Sequence, residues 1–302
     1  MKIRIRRKKR RFRKINLQKR RKSTINIKII VILILIFCLI FFTIDAKNKS
    51  HTNNENENLN SFKKTEVNKI KTVYNTSQML INQTYAQWLE DLILNAFFFD
   101  VQNGFYIDVG ANDPNYLSVT KIFYLRGWNG LNIEPTNSSY YRLQAERPRD
   151  INVKICAGSH KGNITIYEEG ALTTTRKEYS YARFKVHNTS LDTMANICNK
   201  NIPKHKEIHF CKIDVEGDER EVLLGFDFEN YHPKVFCIEC TKPGTMTFTY
   251  QTFEDILVKN NYEFVYSYGI NRYYVDKNLD YLKERAKHLG DLLKLFRNRK
   301  KI

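Results

Sequence analysis

Residues 104–135 read GFYIDVGANDPNYLSVTKIFYLRGWNGLNIEP. Phe105 to Val109 is an apolar run of strand length that ends in the small-residue turn Gly110-Ala111. The segment SVTKIFYLRG (118–127) follows; its spacing predicts a helix with Val119, Ile122, Phe123 and Leu125 on one side and Gly127 at its end. Gly130 to Ile133 is a second short strand, closed by Glu134-Pro135. Strand, turn, helix, strand is a βαβ unit. In open sheets built from such units, ligands lie at the carboxyl ends of the strands, where the strand order reverses.

The residues at those ends are chemically selective. Asp108 closes the first strand, and Gly110 and Ala111 let backbone approach a ligand closely. Glu134 closes the second strand, placed to accept both hydroxyls of a ribose. The pattern points to a nucleoside-containing ligand. A pyrophosphate-bearing dinucleotide wants G-x-G-x-x-G, and here those positions are Gly110, Asn112 and Asn115. Asp108 and Asp113 would also repel pyrophosphate. Acids flanking the turn suit a cationic ligand instead, and S-adenosylmethionine carries a ribose, an ammonium and a sulfonium but no phosphate.

Working outward, Tyr85, Leu89, Leu92 and Ala96, with Trp88 and Ile93 beside them, predict an amphipathic helix before the first strand. Further strands are read at INVKICAG, NITIYEE, HFCKIDVEG, KVFCIEC, YEFVYSYG and NRYYVDK, with helices at SLDTMANICNK, EREVLLGF and FEDILVKNN. This alternation predicts an α/β fold with a mostly parallel sheet and helices on both faces. The last two strands lie only a few residues apart and form an antiparallel hairpin at one edge. A basic amphipathic helix is expected over 281–302, packed on the domain or touching a membrane.

These motifs resemble the FkbM family of S-adenosylmethionine-dependent methyltransferases. The resemblance covers about residues 84–276 and rests on TYAQWLED, the quoted 104–135 segment, ERPRDINVKICAG, HNTSLD, HFCKIDVEGDEREVLLGFDF and CIECTKPGT. It implies a class I (Rossmann-like) methyltransferase sheet and O-methylation, commonly of sugars or secondary metabolites. Carried over by position, Asp108, Gly110 and Asn112 would contact the methionine and ribose end of the cofactor. Glu134 would hold the ribose, and Cys156 and Ala157 would lie beside adenine. Gln87 and Asp91, on the helix before the first strand, would close over it. Asp214 and Glu216 face the site mouth as positioning groups or base, with His187, in the loop before Leu191-Asp192, a second candidate base. Glu219 is read equally as an N-terminal cap or a site acid. Three carboxylates together would also suit a divalent cation, but no residue is assigned as a metal ligand.

The formal net charge of +18 comes almost wholly from a tail. Residues 1–28 hold 15 of the 50 Lys and Arg and no acid, leaving 35 basic against 32 acidic residues. No nucleic-acid partner is therefore inferred from the overall charge. Residues 29–46, beginning IIVILILIFCLIFFTI, approach the length of a membrane span and are read as an uncleaved signal anchor. The charge bias keeps the tail cytosolic and sends the rest across the membrane, as a single-pass type II protein facing the lumen (Golgi or ER) or the cell exterior. Residues 47–80 are polar and read as a flexible stem before a catalytic domain at 81–280. N-x-S/T sequons start at Asn48, Asn75, Asn82, Asn137, Asn163 and Asn188, all beyond the anchor. Cys237 and Cys240 in one strand point to opposite faces, so buried free thiols are expected rather than a metal site; a Cys198–Cys211 bridge is left open. The sequence thus suggests a membrane-anchored O-methyltransferase acting on a glycan or another hydroxyl-bearing small substrate. An inactive methyltransferase-fold binding or trafficking protein and a type II glycosyltransferase share parts of this plan. The latter needs a D-x-D-like site, approached only by Asp214-Val-Glu216, and the former predicts damage at Asp108, Gly110 or Glu134, which are intact.

Overall fold

The computed structural model describes residues 84–181, 183–290 and 293. The chain divides after Gln78, and every described residue belongs to the second unit, Met79–Ile302. The tail, the expected anchor at 29–46 and the stem lie outside the described residues. Among those described, no helix is long and apolar enough to cross a membrane.

In chain order the elements are α1 (Glu90–Phe97), β1 (Phe105–Val109), α2 (Lys121–Leu125), β2 (Asn129–Ile133), α3 (Asn137–Glu146), β3 (Ile151–Val153), β4 (Cys156–Gly158), β5 (Gly162–Glu168) and β6 (Lys185–Thr193). There follow α4 (Met194–Asn201), β7 (Phe210–Ile213), α5 (Glu219–Leu224), β8 (Val235–Glu239), α6 (Glu254–Lys259), β9 (Tyr262–Tyr268), β10 (Asn271–Asp276) and α7 (Asp280–Lys287). Seven strands form one sheet in the order β3-β2-β1-β7-β8-β10-β9. β1 runs parallel to β2 and β7, β2 to β3, and β7 to β8, while β10 is antiparallel to both β8 and β9. The mixed α/β architecture with a terminal hairpin is thus as expected, and it is compatible with a Rossmann-like methyltransferase.

Period-two alternation divides the core. Ile107, Val109, Leu131, Ile133, Ile213 and Ile238 pack on one face of the sheet; Tyr106, Phe210, Val235, Tyr273 and Val275 pack on the other. Trp128, fully buried, fills the second face between Phe123 and His209, each with its ring centroid 4.9 Å away. Leu282, Ala286, Leu289 and Leu293 join the same cluster, so the described part of the C-terminal helix packs on the domain. The five described cysteines are free and buried, which leaves no Cys198–Cys211 bridge, and Cys237 and Cys240 fall in opposite clusters.

Several local expectations are corrected. INVKICAG is two strands: β3 stays in the large sheet, while β4 leaves it for a second sheet of order β4-β6-β5. NITIYEE, as β5, pairs antiparallel with β6 rather than extending the large sheet. SLDT belongs to β6, and the helix begins only at Met194, where Thr193 Oγ1 accepts the Asn196 N–H. The first helix begins at Glu90 rather than near Tyr85. The Asp91 carboxylate accepts the N–H groups of Tyr85 (2.7 Å) and Ala86 (3.4 Å) and holds the preceding residues in a turn. Leu125 is 55% exposed on the outside of α2, whereas Val119, Ile122 and Phe123 are buried as expected.

Candidate active site

The strand order reverses at β1, because the chain passes from β1 to β2 on one side and later returns to place β7 on the other. The tips of β1, β2 and β7 therefore open a crevice. Gly110 begins the turn after β1 with φ 74°, and a Cβ there would lie 1.9 Å from the carbonyl oxygen of Asp214. No other residue lets the two tips close this far. Asn112, also left-handed at φ 47°, carries the turn over the crevice.

A cavity of about 420 Å³ opens there, a size suited to a small ligand or cofactor. Seven of the sequence-predicted residues line it: Gly110, Asn112, Glu134, Cys156, Ala157, Asp214 and Glu216. Ile133, Ile155 and Ile166 add apolar wall, and β4 brings Cys156 and Ala157 to it. Burial pushes the Cys156 thiol up to about 12, so it stays a neutral surface there.

Glu134 is 5% exposed and its carboxylate is firmly placed. Oε1 accepts from both the N–H (2.8 Å) and the hydroxyl (2.6 Å) of Thr136, and Oε2 accepts from the Asn112 N–H at 2.9 Å. With about two acceptor positions per oxygen, Oε1 is filled and Oε2 has one open. The carboxylate therefore has room for one strong hydroxyl donor, where the sequence reading has it accept both hydroxyls of a ribose. Burial raises its pKa, against the opposing pull of these hydrogen bonds.

Asp108 does not line the cavity. Its side chain is 2% exposed, Oδ2 accepts from Thr120 Oγ1 at 2.9 Å, and Oδ1 faces Lys212 Nζ at 3.4 Å. Lys212, unassigned by sequence reasoning, is the organising cation. It donates to the Gly110 carbonyl at 2.7 Å and stands 3.5 Å from Asp214 Oδ2. Burial works against its charge, but the nearby Asp214 and Asp108 outweigh it and raise the ammonium pKa. Asp108 thus braces the turn through Lys212 and Thr120. The signal was the register, since Lys212 lies directly beside Asp108 across β1 and β7.

Acids crowd the tips of β7 and β8. Burial, then the charges of Asp214 and Glu219, push Glu216 up to about 8. Glu219 Oε1 accepts the N–H groups of Val215 and Gly217, each at 3.1 Å, so Glu219 braces the loop that carries Glu216. Burial brings its own pKa to about 7. Glu239, at the end of β8 in the CIEC motif, carries no role from sequence alone; burial and then Asp214 raise it well above the carboxylate range.

Besides Asp108, three predicted residues stand apart from the cavity. His187 lies within β6 opposite Ile166, not in a loop, and faces Glu168 at 3.7 Å. Gln87 precedes α1 and is exposed, and Asp91 is spent on the turn before α1. The segment 170–178, between β5 and β6, supplies a wall that the sequence did not reveal. It is tied to the β7 loop: Thr174 Oγ1 donates to the Glu216 carbonyl at 2.8 Å, and Arg176 Nε donates to Asp218 at 2.7 Å.

Among curated proteins and solved structures, none matches the chain. The family model described as the methyltransferase FkbM domain matches residues 108–268, just over half of the chain and the whole span from the tip of β1 to the end of β9. The chain belongs to the FkbM methyltransferase family.

Proposed function

We propose that this protein is a membrane-anchored, S-adenosylmethionine-dependent O-methyltransferase whose acceptor is a hydroxyl of a glycan or glycoconjugate. Family membership supports methyl transfer. The observation that carries the cofactor assignment is Glu134, fixed on the cavity wall with one acceptor position open beside the turn after β1. The residues present fit such a cofactor. Ile155, Cys156 and Ala157 offer an apolar wall for adenine, Glu134 would accept a ribose hydroxyl, and the acids at the mouth favour a cation. Only Gly110 of the three pyrophosphate glycines is present.

When bound, the cofactor would supply a methyl group already activated on a sulfonium for transfer to an acceptor oxygen. The chain's own task is placement. Asp214 and Glu216, across the crevice from Glu134, would position the acceptor hydroxyl in line, and its proton passes to solvent at the mouth. Alignment of this kind can supply roughly 7–11 kcal/mol of barrier reduction. The apolar run at 29–46 and the basic tail before it support a type II topology, with the domain luminal or extracytoplasmic and the methyl donor delivered across the membrane.

Calorimetry of the full-length protein with S-adenosylmethionine tests the reading. The wild type is expected to bind, and Glu134→Ala to bind at least tenfold more weakly, since a charged hydrogen bond is worth about 1.5–3 kcal/mol. Absence of heat with the wild type would end the cofactor assignment. Protease protection in sealed vesicles tests the topology separately: residues 81–302 should survive unless detergent is added.

A further inference from the structure

Glu239 completes a second arrangement at the same strand tips. One carboxylate oxygen from each of Asp214, Glu216 and Glu239 lies within 4.8 Å of the others. Asp214 and Glu216 are half-buried, whereas Glu239 is 4% exposed. Glu239 Oε1 accepts from Thr241 Oγ1 at 3.3 Å, but Oε2, sealed from solvent, accepts no hydrogen bond. A buried carboxylate oxygen without a donor is costly and calls for a partner. The cation at hand is already committed: Lys212 pairs with Asp108 and Asp214, and among the described residues no ion pair reaches Glu216 or Glu239. Of the three acids only Asp214 shares an ammonium, and it shares that one with Asp108.

We infer that Asp214, Glu216 and Glu239 form a binding site for a hard divalent cation of the Mg²⁺ or Mn²⁺ kind. An all-carboxylate donor set selects such ions over softer ones. Three protein ligands leave coordination positions for water and for an incoming oxygen. Asp214 and Glu216 also line the cavity, so the ion would present those positions to the substrate side. Ion binding stands by itself; only its use, holding the acceptor oxygen, rests on the methyltransferase reading.

The rival arrangement is a proton shared between Asp214 and Glu239, which needs no metal. Full-length protein in detergent is titrated with Mn²⁺ alone, following the free-ion signal by electron paramagnetic resonance. One Mn²⁺ per chain, displaced by excess Mg²⁺, is expected. Glu239→Gln should weaken it at least tenfold, by analogy with the losses seen when groups around metal sites are removed. Asp255→Asn, at an exposed pair with Arg220, should leave it unchanged. If Glu239→Gln does not fold, Glu216→Gln decides on the same tenfold criterion. No stoichiometric Mn²⁺ on the wild type, or wild-type affinity in the deciding variant, overturns the site and favours the shared proton. S-adenosylmethionine binding without Mn²⁺ binding removes this inference and leaves the enzyme reading intact. Mn²⁺ binding without the cofactor does the reverse.

Discussion

In the large sheet, β1 and β8 are buried at every position, whereas β5 in the small sheet is fully buried only at Ile166. The large sheet has two extensive apolar faces; the cluster between β4, β5 and β6 consists of Cys156, Ile166 and Leu191 with Ile164 beside them. Polar ties hold the smaller sheet's flank in place, among them Thr174 to the Glu216 carbonyl and Thr175 and Arg176 to Asp218. The cavity lies where the two meet, one wall from each. A stiff apolar frame thus fixes the strand-tip acids, and a lightly held polar flap shapes the opposite wall. Regions with few buried contacts open at lower free energy than the core they lean on.

The comparison breaks most easily at Trp128. Trp128→Ala should cost about 3–5 kcal/mol in denaturant unfolding and lower both regions together, since it empties the core of the large sheet. A loss confined to the small sheet would contradict the frame assignment.

Acidity should act next, through the frame. Burial pushes Glu90 up to about 7 and Asp91 up to about 6. Both hold protons more tightly folded than unfolded, so the folded state binds more protons between roughly pH 4 and 7 and loses stability as pH rises through that window. His209, whose pKa burial lowers, contributes with the opposite sign. Melting temperature measured from pH 5 to pH 8 in the wild type and in Glu90→Gln isolates the acid. The variant should shed part of the decline, on the order of a few kcal/mol across the window. An unchanged slope would remove Glu90 from this role.

Ile166→Ala should cost about 2 kcal/mol, near the low end for a core truncation, because so small a cluster can relax. Hydrogen exchange should quicken in β5 and β6 while β1 and β8 keep their protection. The smallest effect belongs to Thr174→Val, which removes the hydroxyl's hydrogen bond to the Glu216 carbonyl and the one it accepts from the Arg176 N–H, and should cost about 1–2 kcal/mol. Its signature is faster exchange in 170–178 with no change in the large sheet.

The large sheet was readable because its strands are apolar runs bounded by turn residues, and 104–135 alone sets out β1, α2, β2 and the acids at their tips. The small sheet was not. β4 and β6 pair Cys156 with Leu191, a choice made by distant partners, and β6 alternates Asn, Thr, Ser and Asp in a pattern that reads equally as loop. Local sequence likewise could not show that Asp108 turns inward, since its partner Lys212 joins it only through the register of β1 and β7. Glu134, Gly110 and Asp214 were found because a strand-tip position follows directly from where an apolar run stops. Glu239 sits at such a position too, in CIEC, and its oxygen without a donor is visible only in three dimensions.

The buried thiols make this molecule its own clock. Cys156 sits between the small sheet and the cavity, while Cys211 and Cys237 lie at the heart of the large one, and none is exposed while the fold is intact. Alkylation of Cys211 and Cys237 can proceed only through opening, whereas Cys156, on the cavity wall, is the first within a reagent's reach. The sequence in which those sulfurs take up a label therefore reads out, without any probe being engineered in, whether the flap swings before the frame yields.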